Sequence, residues 1–227
     1  IPFTEDGDFM EVTIAGKTNH GADLMRQLDQ ELREVYFNPR CELDKADAAN
    51  LMWYLWLGPD SPLFGKDKMT TFERLFIADK STHKEHTVPY YKLIKNKDIC
   101  IKIIRDFDLD PSKGIILNGH VPVKIKDGES PIKGEGKLIV IDGGISKAYQ
   151  KTTGIAGYTF IFNSWFMALS EHEPYHPLQP DGTQEFKSPN IVTTHTLPER
   201  MLIIDTDIGK VLQSQIDDLQ QLNAEFR

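Results

Sequence analysis

Residues 117 to 144 read LNGHVPVKIKDGESPIKGEGKLIVIDGG, and one position in that stretch stands out for chemistry. His120 lies between a glycine and a Val-Pro pair, just past a short β-branched run. Loops at the ends of buried strands sit on a rigid support, and metals bind well there. Gly119 would let the backbone turn sharply and approach a ligand closely. Pro122 would fix the chain that follows. An imidazole held on so stiff a support suits a divalent transition metal. Taken alone, the tetrapeptide fits a turn histidine bonded to backbone better than it fits a ligand. The wider context has to decide.

The elements that must position this stretch follow from periodicity. A helix is expected from Gly21 to Phe37, with Leu24, Leu28, Leu32 and Val35 on one face and Asp, Glu and Arg on the other. Asp44 can cap a second helix through ADAANLMWYLWL, with Gly58 as its stop. Trp53, Tyr54 and Trp56 make that helix too apolar for an open surface, so Trp53 and Trp56 are expected in a core or against a partner. Thr70 and Glu73 have capping-box spacing. NKDICIKIIRDFDL reads as a helix with Ile99, Ile103 and Phe107 on one face. GIILNGH and GKLIVIDGG read as short strands of the kind buried on both sides of a sheet.

Beyond Gly154 the pattern turns to hairpins, with Asn163-Ser164 as a turn and NIVTTHTL and RMLIIDTD as further strands. An amphipathic helix over 208 to 226 carries Ile208, Leu212, Leu219 and Leu222. In DTDIGK, Asp205 and Asp207 suit a helix N-terminus. PYHPLQPDGTQEFKSPN is a Pro-rich loop expected to be disordered. The fold class is therefore α/β in the broad sense (α+β), mainly helical over 17–110 and β-rich over 111–227 with a closing helix.

Composition narrows the field. The chain has 227 residues, 40% of them hydrophobic, enough for a real core. Its formal net charge of -8, with no long basic run, argues against nucleic acid as a partner. No apolar run reaches the roughly 18 to 20 residues of a membrane span, so no membrane partner is expected. Cys41 and Cys100 lie far apart and form no CxxC pair, which suggests a reducing, cytoplasmic setting. The chain opens on Ile1 rather than Met, so it is expected to be processed or cut from a longer polypeptide.

GHVP followed by a strand ending in IDGG resembles the closing segment of calcineurin-like metallophosphoesterases. There, Gly-His is the last metal-ligand motif of a dinuclear centre. MWYLWLGPDSPLFGKDKMTTFER, NGHVPVKIKDGESPIK, GKLIVIDGGISKAYQKTTGIAGYTFIFNS and DTDIGK together resemble the class III fructose-1,6-bisphosphatases, manganese-dependent bacterial enzymes of gluconeogenesis. The resemblance runs from Ile1 to the last helix and fits the C-terminal portion of that family. It implies the C-terminal part of a calcineurin-like β-sandwich flanked by helices. It also implies a partner, the missing N-terminal half of the same protein, because the family's DxH, GDxxDRG and GNH(D/E) motifs do not occur here.

By this resemblance His120 is a manganese ligand, and the substrate is fructose 1,6-bisphosphate, hydrolysed to fructose 6-phosphate and phosphate. One histidine cannot hold a dinuclear centre, so the chain alone is expected to be inactive. A positive residue near a phosphate oxygen gives a charge-assisted bond. Lys133 and Lys147 lead the candidates for that role, then Lys66, with Lys124 and Ser130 behind. For any one of these lysines, solvated surface is the commoner explanation.

Asp142 is expected to tie loop amides rather than bind metal. His83 and His86 have ligand-like spacing in a polar, irregular setting that does not favour a site. TTGIAG reads more readily as a bend between strands than as a phosphate cradle. The rival reading is a non-catalytic regulatory or oligomerisation module, with the aromatic helix near Trp53 as interface. A homo-oligomer paired through an exposed sheet edge is the further partner considered.

Overall fold

The computed structural model describes residues 1–37, 45–58, 61–119, 121–144, 153–154, 157–173 and 190–226. His120, Lys147, the cap expected at Asp44, half of TTGIAG and all but the last residue of the Pro-rich loop lie outside the described residues. The chain divides into two units. One comprises Ile1–Leu117 and Ile132–Ile139, the other Asn118–Pro131 and Val140–Arg227. Both mix helix and strand, giving an α+β protein.

The first unit opens with strands β1 (Val12–Ile14) and β2 (Lys17–Asn19), paired antiparallel. Their two-residue turn needs positive φ at both positions, and Ala15 and Gly16 supply it with φ of 49° and 78°. Val12 and Ile14 alternate inward and meet the apolar face of helix α1 (Gly21–Phe37), where Leu24 and Leu28 are buried. Helix α2 (Lys45–Leu57) completes this core with Leu55, while Leu51 and Tyr54 pack against it.

That packing explains one correction. Leu51, Tyr54 and Leu55 fall on the inward face of α2 by their three- and four-residue spacing. Met52, Trp53 and Trp56 are therefore turned outward, and Trp53 and Trp56 are 59% and 60% exposed rather than core. The two indoles meet edge to face, with ring centroids 5.3 Å apart.

Helices α3 (Thr71–Phe76), α4 (Tyr90–Leu93) and α5 (Lys97–Asp106) follow. The capping box expected at Thr70 does not form, because its hydroxyl donates to Glu85 (2.9 Å) instead of serving the helix end. Asn96 does cap α5, accepting from Asp98 N–H at 2.8 Å. Helix α5 buries Cys100, Ile103 and Ile104. Asp106, from the end of α5, accepts the Ala22 N–H (2.5 Å) and so covers an open donor in the first turn of α1.

Strands β3 (Ile116–Asn118), β4 (Ile132–Lys133) and β5 (Leu138–Val140) form a sheet in the order β3-β5-β4. Strand β5 is central and wholly buried, as the run LIV predicts. β3 lies at the edge, and Leu117 is 49% exposed, so the expectation that it is covered on both sides is corrected.

In the second unit, β6 (Gly157–Phe162), β7 (Phe166–His172) and β8 (Ile191–Thr196) make an antiparallel sheet with β7 in the middle. Asn163 builds the predicted turn by accepting the N–H groups of Trp165 (2.8 Å) and Phe166 (2.9 Å). Met167 to Ser170 are all buried, as suits a central strand. Met167 pairs with His195 but Ala168 with Thr193, so one extra residue of β8 bulges between them.

RMLIIDTD does not continue as a strand. Ile203–Asp205 forms a 3-10 turn, closed where Asp205 accepts the Leu202 N–H at 2.8 Å. Helix α6 (Asp207–Glu225) starts at once behind it, capped by the Thr206 hydroxyl, which accepts from Gly209 N–H at 3.0 Å. Gly209 is required there, because a Cβ at that position would run into the Ile203 carbonyl.

Candidate functional site

The two halves of the stretch around His120 are hydrogen-bonded to each other. Ile141 N–H donates to Asn118 O, and Val123 N–H to Asp142 O, both at 2.9 Å. Asn118 and Val123 thus lie beside the end of the VIDGG strand. Asp142 turns its carboxylate onto the Gly144 N–H at 2.8 Å, tying loop amides as expected. Gly119 does not have a left-handed φ, and open space stands where its Cβ would be, but the Val121 N–H donates to Gly119 O at 2.9 Å, a tight return of the backbone of the kind expected there. Val123 is buried and anchors the segment.

The lysines named from the sequence have different surroundings. In the second unit, Lys124 is exposed beside a 3-10 turn (Ile125–Asp127), and its N–H is held by the Glu129 carboxylate at 3.0 Å. Ser130 is exposed shortly after that turn. In the first unit, Lys133 is half-buried on β4 opposite Leu138. Lys66 is committed elsewhere, with its Nζ 2.6 Å from Glu85 Oε2.

Glu85 is the centre of a small knot. The Thr70 hydroxyl and N–H donate to its other oxygen at 2.9 and 3.0 Å, and Arg74 lies 3.8 Å away. The Lys66 ammonium, then the Thr70 N–H, hold the Glu85 carboxyl down at about 2. This arrangement ties the loop carrying Lys66 and Thr70 to the chain before α4. The two nearby histidines go separate ways. His83 Nε2 contacts Ile77 O, and His86 Nδ1 contacts Asp67 Oδ2, each at 2.8 Å. Asp67 is held below the usual carboxylate range, chiefly by the His86 N–H.

One group escaped sequence reasoning. Glu31 counts among the acids of the polar face of α1, yet it is only 9% exposed. It sits seven residues after Leu24 and three after Leu28, which puts it on the apolar stripe. Gln27 donates to Glu31 Oε1 at 2.7 Å and to Ile14 O at 3.0 Å, and accepts from Asn19 Nδ2 at 2.6 Å. Glu31 Oε2 is buried with no hydrogen-bond partner among the described residues. A buried polar atom left that way costs about 1–3 kcal/mol, more when charged. The signal was available in the spacing, but a glutamate at such a position normally reads as surface.

Among the described residues, no three His, Cys, Asp or Glu side chains converge to hold a metal ion. The described residues therefore do not fit a metal centre by themselves.

No solved structure matches the chain. It is 47% identical over 230 residues to a fructose-1,6-bisphosphatase class 3 of Clostridium botulinum (strain 657 / Type Ba4), covering all of this chain and 34% of that protein. It is likewise 47% identical over 231 residues to the protein of the same name from Alkaliphilus metalliredigens (strain QYMF), covering 35% of it. The chain thus spans about a third of the length of the curated relatives it matches, and that third is their C-terminal portion. The sequence profile described as Firmicute fructose-1,6-bisphosphatase matches residues 1–227, and the chain belongs to that family.

Proposed function

We propose that this chain works as the C-terminal portion of a metal-dependent fructose-1,6-bisphosphatase, cleaving fructose 1,6-bisphosphate to fructose 6-phosphate and phosphate. The observation that carries the reading is 47% identity across the whole chain to proteins of that name. The setting proposed is cytoplasmic, and the pathway gluconeogenesis. Among the described residues, no helix is long and apolar enough to cross a membrane.

The metal proposed is manganese, and its architecture the calcineurin-like one. When bound, such a metal lowers the pKa of a water and polarises a phosphoryl oxygen. His120 is the ligand this chain would offer. Further ligands must come from outside the described residues, and no step is routed through a metal on the described residues alone. Lys133 and Lys147 are the first candidates to hold a substrate phosphate, by charge-assisted bonds. Lys124 and Ser130 remain secondary. Lys66 would first have to leave Glu85, so its ion pair favours a structural role.

The partner proposed is the remaining part of the longer family protein. The outward Trp53 and Trp56 and the exposed face of α6 are surfaces such a partner would cover. The same surfaces favour the rival reading, a non-catalytic oligomerisation or regulatory module. Phosphate release from fructose 1,6-bisphosphate with manganese separates the two. It would be measured for this chain and for a chimera in which the chain replaces the matching third of the Clostridium botulinum relative. The enzymatic reading expects turnover in the chimera and none in this chain alone. A well-folded chimera without turnover would leave the module reading standing.

A further inference from the structure

A cavity of about 470 Å³ opens between the β1–β2 hairpin, α1 and α2. Glu31 forms part of its wall, with Leu51 and Tyr54 beside it and Asp47 and Asn50 exposed at its edge. Among the described residues that line it, two are acids and none is a cation. The Gln27 amide behind it has no donor left to give. Both donors of the Gln27 amide are spent on Ile14 O and Glu31 Oε1, and its oxygen is taken by Asn19. Glu31 Oε2 is the one buried side-chain polar atom without a partner among the described residues.

Each of these facts restricts what can complete the site. The missing partner must be a donor, and two carboxylates with no opposing charge among the described lining residues favour a cation. The space is far larger than the roughly 30 Å³ of a water, and it lies within the roughly 300–1,000 Å³ of small-molecule sites. The aliphatic Ile14 and Leu51 and the aromatic Tyr54 in its wall suit a short apolar body, and a tyrosine face attracts an ammonium. The terminal torsion of a glutamate is broad. Oε2 itself is buried, so binding requires that torsion to turn Oε2 toward the cavity while Oε1 stays on Gln27.

We propose that this cavity binds a primary ammonium group on a short aliphatic body, with Glu31 as its anchor and Asp47 as a secondary charge. Nothing in the fructose-bisphosphatase reading requires such a site, and the inference does not rest on that reading. Two sources share the chemistry, a free small amine and the side chain of a lysine from another segment of protein.

The test is titration of this chain, followed by amide NMR shifts, with n-butylammonium, with Nα-acetyl-lysine methylamide, and with n-butanol as the uncharged control. Saturable shifts confined to β1, α1 and α2 are expected with the amines and not with butanol. Tighter binding of butylammonium assigns a free amine, and tighter binding of the blocked lysine assigns a protein side chain. Glu31→Gln, nearly isosteric and able to keep the Gln27 bond, should weaken the amine at least tenfold. Asp47→Asn, at an exposed position with little bearing on folding, should weaken it about threefold and keeps the test decisive if Glu31→Gln fails to fold. Equal shifts with butanol, no saturable amine binding, or an unchanged affinity in a folded Glu31→Gln or in Asp47→Asn would overturn the proposal.

Discussion

Helices α1 and α6 carry the same kind of pattern and have opposite surroundings. In α1 the apolar stripe is covered, with Leu24 and Leu28 at 0% and 3% exposure. In α6, Ile208, Leu219 and Leu222 remain 74%, 65% and 52% exposed, and Gly209 is its one buried residue. Amphipathic spacing states which face of a helix is apolar. It does not state what covers that face. For α1 the cover is a hairpin and a second helix close by in sequence. For α6 it is absent among the described residues, so the helix rests on its cap and on the turn before it.

The contrast predicts unequal costs for the same substitution. Leu24→Ala should destabilise the chain by about 3 kcal/mol, from lost transfer energy plus a cavity. Leu219→Ala should stay within about 0.5 kcal/mol. Urea unfolding of the two variants reads the difference directly, and equal costs would mean that α6 is covered as α1 is.

A second variant probes what holds α6. Gly209→Ala sets a Cβ against the Ile203 carbonyl and should cost about 2 kcal/mol, within the range for forced overpacking. The loss should appear first as faster amide exchange over the first turns of α6. Strong protection of that helix in the variant would show that the turn before it is not its support.

The third effect belongs to the first unit. Glu85 is held at about 2 in the fold against an ordinary 4.5. A depressed carboxyl adds stability that is fully present above the unfolded value and is lost as pH falls through the folded one. Stability should therefore decline between about pH 4.5 and pH 2. The Glu85 share is about 1–2 kcal/mol once solvent screening of the half-exposed Lys66 is discounted. Glu85→Gln should flatten that part of the profile measured by thermal unfolding. The smallest effect expected is Thr206→Ala, which removes the α6 cap at a cost of about 1 kcal/mol, seen as lost helical signal with the β6–β8 sheet intact.

The parts of the fold visible in the sequence are those where local pattern and tertiary cover agree. The limits of α1, the presence of α5, the Asn163 turn and the buried run of β5 all follow from periodicity or turn chemistry. Trp53 and Trp56 misled because bulk apolarity was taken as burial, whereas Leu51, Tyr54 and Leu55 had already filled the inward face. Thr70 misled because its spacing to Glu73 is local, and a glutamate fifteen positions away competed for the same hydroxyl. RMLIIDTD has strand-like residues, but Asp205 bonds back to Leu202 and turns the chain. At the site, the pairing of Asn118 and Val123 with the VIDGG strand was legible from the motifs. The burial of Glu31 was not, since it depends on a hairpin and a helix closing over it.

The central proposal is that His120 serves as a metal ligand in a longer enzyme. The direct measurement is made on the chimera with the Clostridium botulinum relative, comparing bound manganese and turnover of fructose 1,6-bisphosphate before and after His120→Ala. The expected result is loss of manganese from the purified protein and at least a hundredfold fall in turnover, with the fold preserved by circular dichroism. Unchanged manganese content and unchanged turnover in the variant would contradict the assignment and return His120 to an ordinary turn.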